Sequence, residues 1–162
     1  MADTTKLSES LKFAEKIPVF KGLRPSQLRQ LLNRTTVEER SPGDLLCEQG
    51  QESNNLYILL AGEVSVLKDG IELTRVGPVE MVGEMGLLTD RPRCATIQVL
   101  QPSKVMVISG EALQISFGVD PELQTILFRN VLDSVCEKLR ESNLHLVENL
   151  HVDHGKIVAS TV

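Results

Sequence analysis

The chain has 162 residues, 41% of them hydrophobic and 24% charged, with a formal net charge of −5. That is ordinary for one domain with a real core, and the acidic balance argues against a dedicated nucleic-acid surface, which needs a basic stripe. Cys47, Cys94 and Cys136 are odd in number, far apart and without metal-ligand spacing, no apolar run approaches a membrane span, and M1-A-D-T-T-K-L-S-E-S lacks a signal core; free thiols in a cytoplasmic protein away from membranes are expected.

Leu7, Leu11 and Ala14 recur at helical spacing in a first segment that ends before Pro18. Pro25, a good first-turn residue, starts a second short helix that buries Leu28, Leu31 and Leu32. At Pro42-Gly43 the period changes. L56-Y-I-L-L is a fully apolar strand run, V64-S-V-L alternates toward Asp69-Gly70, a strong hairpin signal, and I71-E-L-T-R-V alternates again. A95-T-I-Q-V-L and V105-M-V-I are rich in β-branched residues. Asp120-Pro121-Glu122 then combines a cap, a preorganised first residue and an acid at a helix start. Leu132, Val135, Leu139 and Leu146 form a narrow apolar stripe along that helix, as on a helix that pairs with another. From about His151 to Val162 no periodicity remains, and a frayed, flexible tail is expected. The pattern predicts an α+β fold: a β-roll (a jelly-roll-like antiparallel barrel) at about 35–109, flanked by short N-terminal helices and a long C-terminal helical segment at about 110–150. Residues 1–150 read as a single domain and 151–162 as the tail.

The most informative stretch is V82-G-E-M-G-L-L-T-D-R-P-R-C-A-T96. Gly83 lets the backbone approach a ligand closely, and a helical turn from Glu84 to Leu88 has N–H groups that attract an anion. Arg93 adds a planar fork suited to phosphate. Glu84 is a carboxylate able to accept from sugar hydroxyls. An anion cradle, a cation and a ribose acceptor in one segment suit a nucleotide with a compact, singly charged phosphate. The arginines must attract it by local focusing against the acidic background.

This segment resembles the phosphate-binding cassette of the cyclic nucleotide-binding domain, found in catabolite-activator-like regulators, cyclic-nucleotide-dependent kinases and gated channels. It matches the family pattern at Gly83, Glu84, Met85, Gly86, Leu87, Leu88, Pro92, Arg93, Ala95 and Thr96. Upstream, I17-P-V-F-K-G-L, Pro42-Gly43-Asp44, Glu48-Gln49-Gly50 and L56-Y-I-L-L-A-G-E-V resemble the entry segment and the glycine-punctuated strands. Two positions depart from the pattern: Val79-Glu80 stands where Gly-Asp is usual, and Cys94 where Ser, Thr or Ala is usual. The resemblance implies cAMP or cGMP as ligand, with Arg93 on the phosphate and Glu84 on the ribose 2′-hydroxyl. Val82, Gly83, Met85, Gly86, Cys94 and Ala95 complete the lining. Because a thiol is a poor donor, Cys94 tilts the reading toward cAMP. The family also folds its C-terminal helix over the base; Ser142 and Asn143 are the candidates for the purine edge, and Leu139 is either an apolar cap or part of a dimer seam.

Three functions suit such a chain to different degrees. The first is a stand-alone sensor without a helix-turn-helix, signalling to an unidentified downstream protein through its C-terminal helix and forming a homodimer through it. The second, a cupin-like metal enzyme, fails because the strand region holds no histidine; neither a metal nor catalysis is expected. His145, His151 and His154 lie at and beyond the helix end, without cysteine neighbours. The third is a scaffold that kept the fold and lost the ligand, its empty pocket held by an Arg93–Glu84 ion pair.

Overall fold

The structure is a computed structural model of the full chain, which describes residues 13–52, 54–89 and 91–159, with side-chain surroundings given up to Val147 except at Leu87. Leu7 and Leu11 of the first predicted helix lie outside these residues; Ala14, its last apolar position, is buried. A 3₁₀ turn at Pro18–Phe20 is followed by α1 (Pro25–Leu32), which starts at Pro25 as expected and buries Leu28 and Leu31.

Among the described residues six antiparallel strands follow: β1 (Thr36–Arg40), β2 (Leu45–Cys47), β3 (Leu56–Lys68), β4 (Ile71–Val76), β5 (Met81–Val82) and β6 (Thr96–Ile108). They form one sheet in the order β1-β6-β3-β4, with β2 against β6 and β5 against β3. The separate runs 56–60 and 64–67 are one continuous strand, and the runs 95–100 and 105–108 are joined in another that starts at Thr96. The interruptions are bends. At Gly62, φ is +97° and a Cβ would stand 2.1 Å from Ser103 Oγ. The β3–β6 register shifts on both sides of this glycine. Such bulges curl the sheet into a roll. Asp69 and Gly70, both with positive φ, make the tight β3–β4 hairpin, with Lys68 opposite Ile71.

The apolar run of β3 has a physical cause. Leu56 and Ile58 point to one core, shared with Phe20, Leu28, Leu31, Leu113, Leu123 and Leu127. Tyr57 and Leu59 point to the other, inside the roll, with Cys47, Val64, Val76, Val82, Ile97, Val99 and Val105. A strand buried on both faces has no polar positions to alternate with.

After β6, Ser109 caps α3 (Gly110–Val119) by accepting from the Ala112 N–H at 3.1 Å. Asp120 then caps α4 (Pro121–Ala159), its Oδ1 accepting from the N–H groups of Glu122 and Leu123. The helix extends beyond residue 150 into the segment read as a tail. No proline stops it there, and Gly155 costs an extended helix only about 1 kcal/mol. Leu123, Leu127 and Val131 fix its first half to the core. Asn130 donates to the Val19 and Lys21 carbonyls, tying α4 to the 3₁₀ turn. From Leu139 to Val147 every side chain is exposed. Val135 packs against the core, so the exposed apolar stripe is Leu132, Leu139 and Leu146.

Candidate functional site

Strand β5 ends at Val82, and Gly83, with a φ of +87°, turns the chain directly into α2 (Glu84–Thr89). A side chain at Gly83 would collide with Arg93, since a Cβ would lie 2.6 Å from Nη1. The glycine therefore lets the guanidinium lie directly beneath the turn. Arg93 Nη1 donates to the Gly83 carbonyl at 2.8 Å, and Nη2 donates to the Asn55 carbonyl at 2.6 Å. Its Cζ lies 5.5 Å from the centre of the Tyr57 ring, a cation–π distance. The main chain of Arg93 is held as firmly: its N–H donates to Gln51 and its carbonyl accepts from Gly50. Arg93 is only 4% exposed. A guanidinium fixed in this way is preorganised, and preorganisation is what gives an arginine geometric specificity for a planar anion.

Glu84 opens α2, where a carboxylate is favoured by the helix dipole, and is 8% exposed. Its charge is compensated from a distant part of the chain. Lys138 of α4 donates to Glu84 Oε1 at 2.8 Å and to the Met81 carbonyl at 2.7 Å. The ion-pair partner of Glu84 is thus Lys138, not Arg93 as the empty-pocket reading supposed.

Val82, Gly86 and Ala95 are buried around this centre. Met85 and Cys94 are exposed beside each other, with Cys94 Sγ 3.5 Å from Met85 Sδ. Arg91 is exposed. Thr96 uses its hydroxyl to accept from the Gln49 N–H at 3.0 Å. Cys47 lies inside the roll, where burial pushes its thiol pKa up against the opposing pull of Arg93. Gly83, Glu84, Met85, Gly86, Arg93, Cys94, Ala95 and Val82 are therefore brought together. Ser142 and Asn143 are exposed on α4, one and more turns beyond Lys138. At about 100° per residue, Ser142 follows the Lys138 side of the helix, whereas Asn143 falls with Leu139 and Leu146.

Sequence reasoning missed Lys138, Tyr57 and the Asn55 carbonyl as parts of this centre. Lys138 sits in the charged run E137-K-L-R-E, where no local spacing marks it, and Tyr57 lies in the apolar run L56-Y-I-L-L; Tyr57 is both core and the floor under Arg93. Val79 carries φ +65°, a conformation that suits glycine. The departure from Gly-Asp thus changes the residue while the backbone keeps a turn that glycine adopts freely. Among the described residues no group of three or more His, Cys, Asp or Glu side chains converges as metal ligands would. Nor, among them, is any helix long and apolar enough to cross a membrane.

Residues 37–115 match the family model of the cyclic nucleotide-binding domain. A cGMP-dependent protein kinase of Plasmodium berghei is 29% identical over 137 residues, covering 85% of this chain and 15% of the kinase. The chain thus spans only a small part of that relative's length. A cyclic nucleotide-binding domain from Methylobacillus flagellatus superposes with a TM-score of 0.79 at 24% identity, covering 90% of this chain and 84% of that one. The N-terminal domain of a transcriptional regulator from Streptomyces coelicolor is 31% identical with a TM-score of 0.64, covering 80% and 90%. The roll, the glycine turn over a buried arginine and these likenesses agree: the chain belongs to the cyclic nucleotide-binding domain family.

Proposed function

We propose that the chain is a cyclic nucleotide sensor that binds cAMP or cGMP and signals through α4. The observation that carries this reading is the buried, preorganised Arg93 directly under the Gly83–Glu84 turn. Arg93 and the cassette N–H groups hold the cyclic phosphate, and Glu84 accepts from the ribose 2′-hydroxyl. Val82, Gly83, Met85, Gly86, Cys94 and Ala95 line the ligand, and α4 settles over the purine with Ser142 and Asn143 within its reach. The ligand shifts α4 only through its differential affinity for the two positions of that helix. The downstream protein is unidentified. The Leu132–Leu139–Leu146 stripe, exposed along α4, supports a homodimer through this helix. The chain acts as a binding module in the cytoplasm, away from membrane and nucleic acid, and without catalysis.

A second reading is favoured by one observation. Arg93 bonds to two carbonyls and Glu84 to Lys138, so the centre is held together without a ligand, as a scaffold would need.

Isothermal titration with cAMP and with cGMP separates the two. Micromolar or tighter binding, weakened more than about a hundredfold by Arg93→Lys or Arg93→Ala on folded protein, supports the sensor; that factor corresponds to about 3 kcal/mol for a lost charge-assisted fork. No heat with either nucleotide, on folded protein free of co-purified ligand, refutes it and leaves the scaffold.

A further inference from the structure

We propose that the Lys138–Glu84 ion pair is the joint that couples the cassette to α4, and that Lys138 is a positioning residue of the nucleotide site. The second half of this inference rests on the sensor reading above. Three observations carry it. Lys138 grips both sides of the cassette entry, the Met81 carbonyl of β5 and the Glu84 carboxylate of α2. It is also the place where α4 leaves the protein: Val131, Ser134, Val135 and Lys138 are buried or half-buried, and every side chain from Leu139 to Val147 is exposed. A helix is steered most effectively at its last point of support.

The third observation is the charge on Glu84: Lys138 pairs with it at 2.8 Å, so the carboxylate does not face an anionic phosphate uncompensated. Among the described residues Glu84 Oε2 carries no hydrogen bond. The carboxylate can therefore accept a ribose hydroxyl without releasing the lysine. Lys138 and ribose then share one carboxylate, and each orients it for the other. A helix held in this way responds to occupancy because the same group serves both.

The test uses the full chain with Lys138→Met, which keeps the stem and removes the charge, and Lys138→Arg, which restores it. Amide hydrogen exchange of the free protein reads the joint. Lys138→Met lowers protection of α4 beyond Val131, and Lys138→Arg retains it; unchanged protection in the Met variant overturns the joint. Titration with cAMP and cGMP reads the site. Lys138→Met weakens binding by about tenfold, a typical coupling between linked sites, and abolishes the nucleotide-induced change in α4 exchange, while Lys138→Arg rescues both. Equal or tighter binding by the Met variant overturns the positioning role, because Lys138 would then compete with ribose. If the wild type binds neither nucleotide, the sensor reading fails, the positioning role falls with it, and the exchange measurement alone decides the joint.

Discussion

Arg93→Met should destabilise the protein in the absence of any ligand. The guanidinium donates two charge-assisted hydrogen bonds, to the Gly83 and Asn55 carbonyls, and rests on the Tyr57 ring. Each such bond contributes about 1.5–3 kcal/mol, and a cation–π contact about 0.5–2 kcal/mol. Gly83 and Asn55 are half-buried, so water reaches part of what methionine would abandon, and the low end of each range applies. The expected loss is about 3–4 kcal/mol, a large share of the roughly 5–15 kcal/mol that holds an ordinary domain. Urea unfolding followed by circular dichroism reads it: with a slope of about 2 kcal/mol per molar, the midpoint falls by about 1.5–2 M. Arg93→Lys should lose less, because one ammonium can still serve a carbonyl. A loss under about 1 kcal/mol for Arg93→Met would refute the reasoning. The cassette would then be held by other contacts, the main-chain bonds to Gly50 and Gln51 and the Lys138 bonds to Met81 and Glu84 among them. The result also governs how a binding test is read, since a variant that has lost its frame loses ligand for the wrong reason.

Gly62→Ala should cost about 3 kcal/mol or more, from φ strain plus a clash with the Ser103 backbone 2.7 Å away, whereas Gly70→Ala, with positive φ but open space, should cost only about 1–2 kcal/mol; equal losses in urea unfolding would discount the close approach. Asp120 is held below the usual carboxylate range, first by the hydrogen bond from Gln27, then by the Leu123 N–H, Arg24 and the Glu122 N–H. Its folded pKa is depressed, so its contribution is present above the unfolded value of about 4 and lost as pH falls through the folded one. The stability gap between wild type and Asp120→Asn, a variant that keeps a good helix cap, should be constant near neutrality and close below about pH 4; a gap that does not change with pH contradicts the assignment. Iodoacetamide should label Cys94 and Cys136, both exposed, and spare buried Cys47, whose raised pKa also starves it of thiolate. On the sensor reading, nucleotide should protect Cys94 and leave Cys136 unchanged, as mass spectrometry of the labelled peptides would reveal.

The parts of this protein legible in its sequence are those whose physics is local. The Asp69-Gly70 hairpin, the Pro25 start of α1 and the Asp120 cap each depend on residues within a few positions, and each lies where its chemistry places it. The meeting of Gly83 with Arg93 is legible because the two come within one short segment. Lys138 is not, because its partner is distant in sequence and a lysine within a charged helical run has no local mark. The two long strands were read in pieces, since the Gly62 bend looks like a break when the strand opposite it cannot be seen. The end of α4 is hidden for the opposite reason: apolar periodicity stops near residue 150, whereas the helical backbone runs on to Ala159.

The pairing of β3 with β6 has a kinetic consequence. Even its closest pair, Leu67 with Thr96, encloses β4, β5 and α2, and Leu56 reaches across to Ile108. Every contact of this pair therefore requires a long loop to close before any of its hydrogen bonds forms, which makes for slow folding. The cassette lies within that loop and gains its shape only when both strands are in register, because Arg93 must find carbonyls at the far end of β5 and at the start of β3. A ligand that recognises the finished cassette has nothing to hold in the transition state. It would leave the refolding rate unchanged and act by slowing unfolding, so that occupancy lengthens the lifetime of the folded protein without hastening its birth.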